Sequence, residues 1–160
     1  MTTKEIKSFF DKNGYIKIDR VLAGKRLQQI QDEVDFMIKR SHKAGRRLEA
    51  HWGGTWREHI NVDGDKQARS VLSIHRVHEH SAALAQLMFD SNITDPVAAV
   101  VGSENLQLHH TLMHAKPPKI GAAFPLHQDY DYFPHKLDTM VAATLYLDDS
   151  EIDNGCLSVY

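Results

Sequence analysis

The stretch Pro125–His135, PLHQDYDYFPH, places two histidines, two aspartates and three aromatic rings within eleven residues. A solvated loop would carry these charges without so many rings. A buried strand would carry the rings without so many ionisable groups. A site that holds a cation beside an organic substrate uses both.

Within this stretch, His127-Gln128-Asp129 has the spacing of a ligand pair. On an extended backbone, residues two apart point to the same side. One imidazole nitrogen and one carboxylate oxygen then converge on a single ion. With a further histidine from elsewhere they form the two-histidine, one-carboxylate triad of non-haem Fe(II) oxygenases, which leaves an open face for co-substrate and O₂. Asp131 is an alternative ligand at the next same-side position. The motif alone is weak, because eleven histidines and fourteen aspartates in this chain give roughly one His-x-Asp by chance. Its bland reading is a turn in which Asp129 bonds a backbone amide and His127 packs beneath it.

The rest of the chain is that of a soluble globular protein. At 160 residues, 42% apolar and 25% charged, it is long enough for one domain with a real core. Nineteen basic against 21 acidic residues give a net charge of −2. No block of like charge argues for nucleic acid or an anionic membrane. No apolar run has the length of a spanning helix, and MTTKEIKSFFDKNGY lacks the apolar stretch of a signal peptide. The single cysteine, Cys156, excludes an internal disulfide and fits a reducing compartment. The expected location is the cytoplasm.

Outward from the motif, helices come first and strands second. Thr2 and Glu5 have capping-box spacing, and Ile6, Phe9 and Phe10 follow with helical period up to Gly14. YIKIDRVL (15–22) alternates like a strand, and an amphipathic helix is expected from Lys25 to His42. Residues 46–70 have no period and read as a long functional loop. Val71–Val77 reads as a strand, followed by helical stretches over Ala82–Phe89 and Asp95–Val101. After Gly102, strands are expected over Leu106–Lys116, Thr139–Leu147 and from Cys156 onward. The order is α+β. One domain is expected over 1–160, mainly helical over 1–102 and β-rich over 103–160. It stops in strand-like sequence at Tyr160, as though truncated.

The segments KPPKIGAAFPLHQDYDYFP (116–134) and MVAATLYLDDSEIDNGCLSVY (140–160) resemble the phytanoyl-CoA dioxygenase family of Fe(II)- and 2-oxoglutarate-dependent oxygenases. The likeness lies in Lys116-Pro117, His127-Gln128-Asp129, Asp148-Asp149 and Asn154-Gly155-Cys156-Leu157, in that order. Ile6 to Leu22 is similar to the family's opening. The resemblance implies N-terminal helices followed by part of a double-stranded β-helix, a jelly-roll or cupin-like core. It implies His127 and Asp129 as metal ligands and catalytic residues, with Fe(II) as cofactor and 2-oxoglutarate as co-substrate. O₂ would split the keto acid to succinate and CO₂, and a hydroxyl would pass to an aliphatic C–H of a small organic or acyl substrate.

Two further positions follow from the same resemblance as co-substrate contacts: Leu112, where the family often has methionine, and Thr144, whose hydroxyl would bond 2-oxoglutarate. An upstream lysine of some members falls near Ser73, a departure here. Tyr130, Tyr132 and Phe133 line a substrate mouth or pack as core and rim. His109, His110 and His114 are read as structural or supporting. The family's third ligand, a histidine, and its co-substrate arginine come after the Asn-Gly-Cys-Leu segment. The 160-residue chain alone is therefore expected to be inactive. The competing readings are a non-catalytic fragment or binding module of the same fold, and a zinc hydrolase using His127, Asp129 and His110 or His114.

Overall fold

A computed structural model describes residues 1–43, 72–116, 124 and 126–160. The long loop expected over 46–70 and Pro117-Pro118 lie outside the described residues.

Helix α1 (Thr3–Asn13) begins where the Thr2 hydroxyl accepts from the Glu5 amide and the Glu5 carboxylate accepts from the Thr2 amide, at 3.3 and 2.7 Å. It ends at Gly14, whose φ of 74° is a left-handed cap that other residues adopt at a cost. Helix α2 (Gly24–Lys43) brings Ile30, Val34 and Met37 onto one stripe. Strand β1 (Leu72–His75) stops at Arg76, whose φ of 55° turns the chain directly into the short helix α3 (Val77–His80). The expected strand to Val77 is therefore cut short. Helices α4 (Ala82–Leu87) and α5 (Ser91–Val101) follow. α5 starts four residues before the expected Asp95, because the Asp90 carboxylate caps it at the Asn92 amide, 3.0 Å away. Pro96 stands inside α5 and forfeits one helical bond without ending the helix.

Strand β2 (Leu112–Ala115) pairs antiparallel with β1, with Ser73 opposite His114 and His75 opposite Leu112. This two-stranded ribbon is the sheet of the described residues, so the chain is a mixed helix-and-sheet protein. One ribbon face, with Ile74 and Met113, joins Ile30, Met37, Val77, Leu84 and Leu87 in the main core, against which Leu145 and Leu147 also pack. A second cluster lies between α1 and α5: Ile6, Ala99 and Val100, with Phe10, Ile16, Ile18 and Val141 against it. No described helix is long and apolar enough to cross a membrane.

Several expected strands are irregular. YIKIDRVL forms no ladder, although Ile16 and Ile18 do pack inward. Only 112–115 of Leu106–Lys116 is paired, and 139–147 and 156–160 carry no ladder. Alternation reports which side chains meet the core. Pairing further requires a neighbouring strand to take the backbone groups.

Candidate metal and co-substrate site

The ribbon face turned away from the main core is rich in histidine. Ser73 and His114 face each other across the strands, Oγ to Nδ1, at 2.7 Å. His75 Nδ1 lies 3.0 Å from His110 Nε2, and His78 Nδ1 bonds the Thr111 hydroxyl. Three side-chain bonds thus stitch the β1–α3 segment to the chain before and within β2. The turn at Arg76 makes the last of these possible, and its amide donates to the Thr111 carbonyl at 2.7 Å. The His75 and His110 rings have centroids 5.2 Å apart, so their facing nitrogens point nearly end to end. That is the geometry of a hydrogen bond; two rings chelating one ion would converge at an angle.

Burial disfavours the charged form of His110 and holds its pKa below 6.5, helped by repulsion from the neighbouring His75, His109, Arg76 and His78. Burial does the same to His114, helped by His75 and Lys116. Neutral His110 and His114 suit their bonds, because a ring nitrogen without its proton can accept.

The His127-Gln128-Asp129 motif lies against this face. Phe124 packs on His114 with centroids 4.9 Å apart, and Phe133 packs edge-on against His109 at 5.0 Å. Between them Gln128 is extended (φ −120°, ψ 137°), and Asp129–Asp131 closes into a 3₁₀ turn. The Asp129 carbonyl accepts from the Tyr132 and Phe133 amides at 3.0 and 2.9 Å. One extended residue is enough to put His127 and Asp129 on the same side, with Nε2 3.6 Å from Oδ1. Both are exposed, and the Tyr132 ring stands edge-on to His127.

Asp131 is placed differently from the strand expectation. At about three residues per turn it points roughly 240° around from Asp129, which removes the geometric basis for it as a same-side ligand. His135 is engaged locally, donating from Nδ1 to the Phe133 carbonyl at 2.7 Å.

The donor pair fits a first-row metal ion. Ligand bonds of roughly 2.0–2.2 Å span donor atoms about 3–4 Å apart, and the pair sits within that range. Among the described residues no third His, Cys, Asp or Glu completes a metal-binding group. Leu112 lies half-buried on the histidine face, two residues from His114. Thr144 is exposed in an irregular segment whose neighbour Leu145 packs on the main core.

The second motif is a knot of hydrogen bonds. The Asn154 side chain accepts from the Glu151 amide at 2.7 Å and donates to the Asp149 carbonyl at 2.8 Å, while the Cys156 amide donates to the Glu151 carbonyl at 3.0 Å. Gly155 takes φ 90°. The sequence reading had singled out Asn154-Gly155 and Lys116 without seeing that they meet: Lys116 Nζ reaches the Gly155 carbonyl at 3.3 Å. It also missed the Ser73–His114 bond, whose only sequence signal is the strand register.

Residues 10–160 match the family described as phytanoyl-CoA dioxygenase (PhyH). The chain is 26% identical over 99% of its length to a "Probable alpha-ketoglutarate-dependent hypophosphite dioxygenase" of Stutzerimonas stutzeri, covering 52% of that protein. It is 26% identical over 98% of its length to the peroxisomal phytanoyl-CoA dioxygenase of Homo sapiens, covering 46%. An ectoine dioxygenase of Nocardia farcinica is 27% identical over 95% of the chain, with 48% of that protein covered. The chain spans about half the length of these curated relatives. No solved structure matches it. With the His-x-Asp pair, the Lys-Pro strand end and the Asn-Gly-Cys turn all inside the matched region, the chain belongs to the phytanoyl-CoA dioxygenase family.

Proposed function

We propose that this chain carries part of the active site of an Fe(II)- and 2-oxoglutarate-dependent dioxygenase acting on an aliphatic C–H of a small organic or acyl substrate. The observation that carries the reading is the His127–Asp129 pair, 3.6 Å between donor atoms, inside a segment that matches the family. Three relatives have dioxygenase in their names, and one is named as alpha-ketoglutarate-dependent.

His127 would bind iron through Nε2 and Asp129 through Oδ1. Bound there, iron and a keto acid would supply the oxidising chemistry of the family, with succinate, CO₂ and a hydroxylated product from O₂. The chain's own residues orient and shield. The 3₁₀ turn holds Asp129 beside His127, and Tyr132 limits the swing of the imidazole. Leu112 offers an apolar wall to the co-substrate, and Thr144 offers a hydroxyl. Two protein donors leave the other positions to co-substrate, water and donors outside the described residues. In this reading the β1–β2 ribbon is a piece of a double-stranded β-helix, with residues 1–102, β1 apart, as its mainly helical flank and 103–160 supplying its other first strands.

The test is anaerobic titration with Fe(II) and 2-oxoglutarate, following the weak visible band of the chelate, with His127→Ala and Asp129→Ala as controls. A band lost in both variants is expected. A band that persists in both would sink the assignment of these ligands.

A further inference from the structure

Lys116 sits where three segments meet: the end of β2, the approach to the metal motif, and the Asp149–Cys156 turn. Its ammonium lies 3.3 Å from the Gly155 carbonyl and 5.6 Å from the centroid of the Phe124 ring. Phe124 in turn packs on His114 and lies three residues before His127. The fit to Gly155 is close. A Cβ built on Gly155 would stand 2.6 Å from Nζ, 3.3 Å from Cδ and 3.5 Å from Cε. The lysine stem therefore runs across the face of the glycine, and any side chain there would push it off. Gly155 is also in a left-handed conformation that side chains disfavour. Among the described residues Lys116 is in no ion pair, so the carbonyl and the ring are what its charge engages.

The turn that receives the amine is already rigid. Asn154 ties it to the Asp149 carbonyl and the Glu151 amide, and the Cys156 amide closes it onto Glu151. A lysine fastened to a rigid turn is itself held, and so is the ring beneath its charge.

We propose that Lys116 is a positioning residue: its ammonium clamps the Asn154-Gly155 turn and the Phe124 ring to the end of β2, and so sets where the chain enters His127-Gln128-Asp129. Only the consequence for metal binding rests on the proposed function; the clamp itself stands on the contacts of Lys116.

Cys156, part-buried beside Gly155, is a built-in reporter. The experiment compares Lys116→Met, Lys116→Arg and Gly155→Ala with the parent chain by two readouts: the rate of thiol labelling at Cys156, and the NMR cross-peaks of the His127 imidazole without metal. Lys116→Met keeps the stem and removes the charge from a partly exposed site, so it is the variant that folds irrespective of the clamp. It should label about three- to tenfold faster, the effect of losing one partly exposed hydrogen bond of ordinary strength, and should move the His127 peaks. Lys116→Arg should restore both. Gly155→Ala should match Lys116→Met, and the double variant should exceed neither single one. Unchanged labelling in Lys116→Met overturns the clamp. Faster labelling with unmoved His127 peaks overturns its positioning role. A parallel Co(II) titration separates the two proposals: a parent chain that binds no cobalt through His127 counts against the proposed function, while labelling and peak positions still decide the clamp.

Discussion

Ser73 and His114 stand opposite each other across the β1–β2 ribbon, hydroxyl to Nδ1 at 2.7 Å, with Ser73 only 3% exposed. A hydroxyl buried this deeply on the face away from the apolar core needs a partner, and the cross-strand register supplies it. Ser73→Ala should therefore cost about 1 kcal/mol, read as a lower urea midpoint. A midpoint equal to the parent's would show that the bond contributes nothing net.

Acid should weaken the fold through His110 and His114. Both are held below 6.5 in the folded chain, first by burial and then by neighbouring positive groups. The unfolded chain takes up these protons first, so the stabilising effect is complete above pH 6.5. It is lost as the pH falls from 6.5 through the lower folded values. Urea midpoints at pH 7.5 and 5.5 should show the drop, and His110→Gln with His114→Gln should flatten it. A slope that survives both substitutions would place its origin elsewhere.

Ile30, in the middle of α2, is completely buried among Met37, Ile74 and Leu84. Ile30→Ala should cost about 2–5 kcal/mol, and Ile30→Val only about 0.5–1.5, because the cavity grows with each methyl removed. Thermal melts by circular dichroism would rank the three. Equal melting temperatures would contradict a close-packed core at this site.

Gln31, the next residue, donates from Nε2 to the Leu147 carbonyl at 2.6 Å. This bond ties the irregular segment that contains Thr144 to a helix. Gln31→Ala should lower stability by about 1 kcal/mol and speed hydrogen exchange in peptides covering 144–149. Exchange that stays at the parent rate would mean that Leu145 and Leu147 hold the segment through apolar contact alone.

The long helices α1 and α2 were legible because their signals are local, whereas α3 was not read and α5 was read four residues short. Thr2, Glu5 and Gly14 bracket α1 by bonds that close within a few residues, and the 3.6-residue stripe of α2 needs only one buried face. Strands were legible as inward and outward side chains, but not as ladders. Ile16, Ile18, Val141, Leu145 and Leu147 do turn inward, yet among the described residues their segments pair with no strand. At the site, His127 and Asp129 were legible because one intervening residue decides their relation. Asp131, an alternative ligand on strand alternation alone, loses its same-side placement because the chain leaves the extended conformation at Asp129 and winds into a turn, a change that alternation does not announce.

By itself the sequence determined the caps of α1, the apolar stripes, the His-x-Asp pair and the family, all carried by residues close together in the chain or by ordered motifs along it. Only the tertiary structure decided that Ser73 meets His114, that His75 meets His110, and that Lys116 lies across Gly155. The two residues of each pair stand 35 to 41 positions apart. Which of them meet depends on strand register and on where each turn sets the chain down, and those are settled by burying the apolar face of the whole molecule at once.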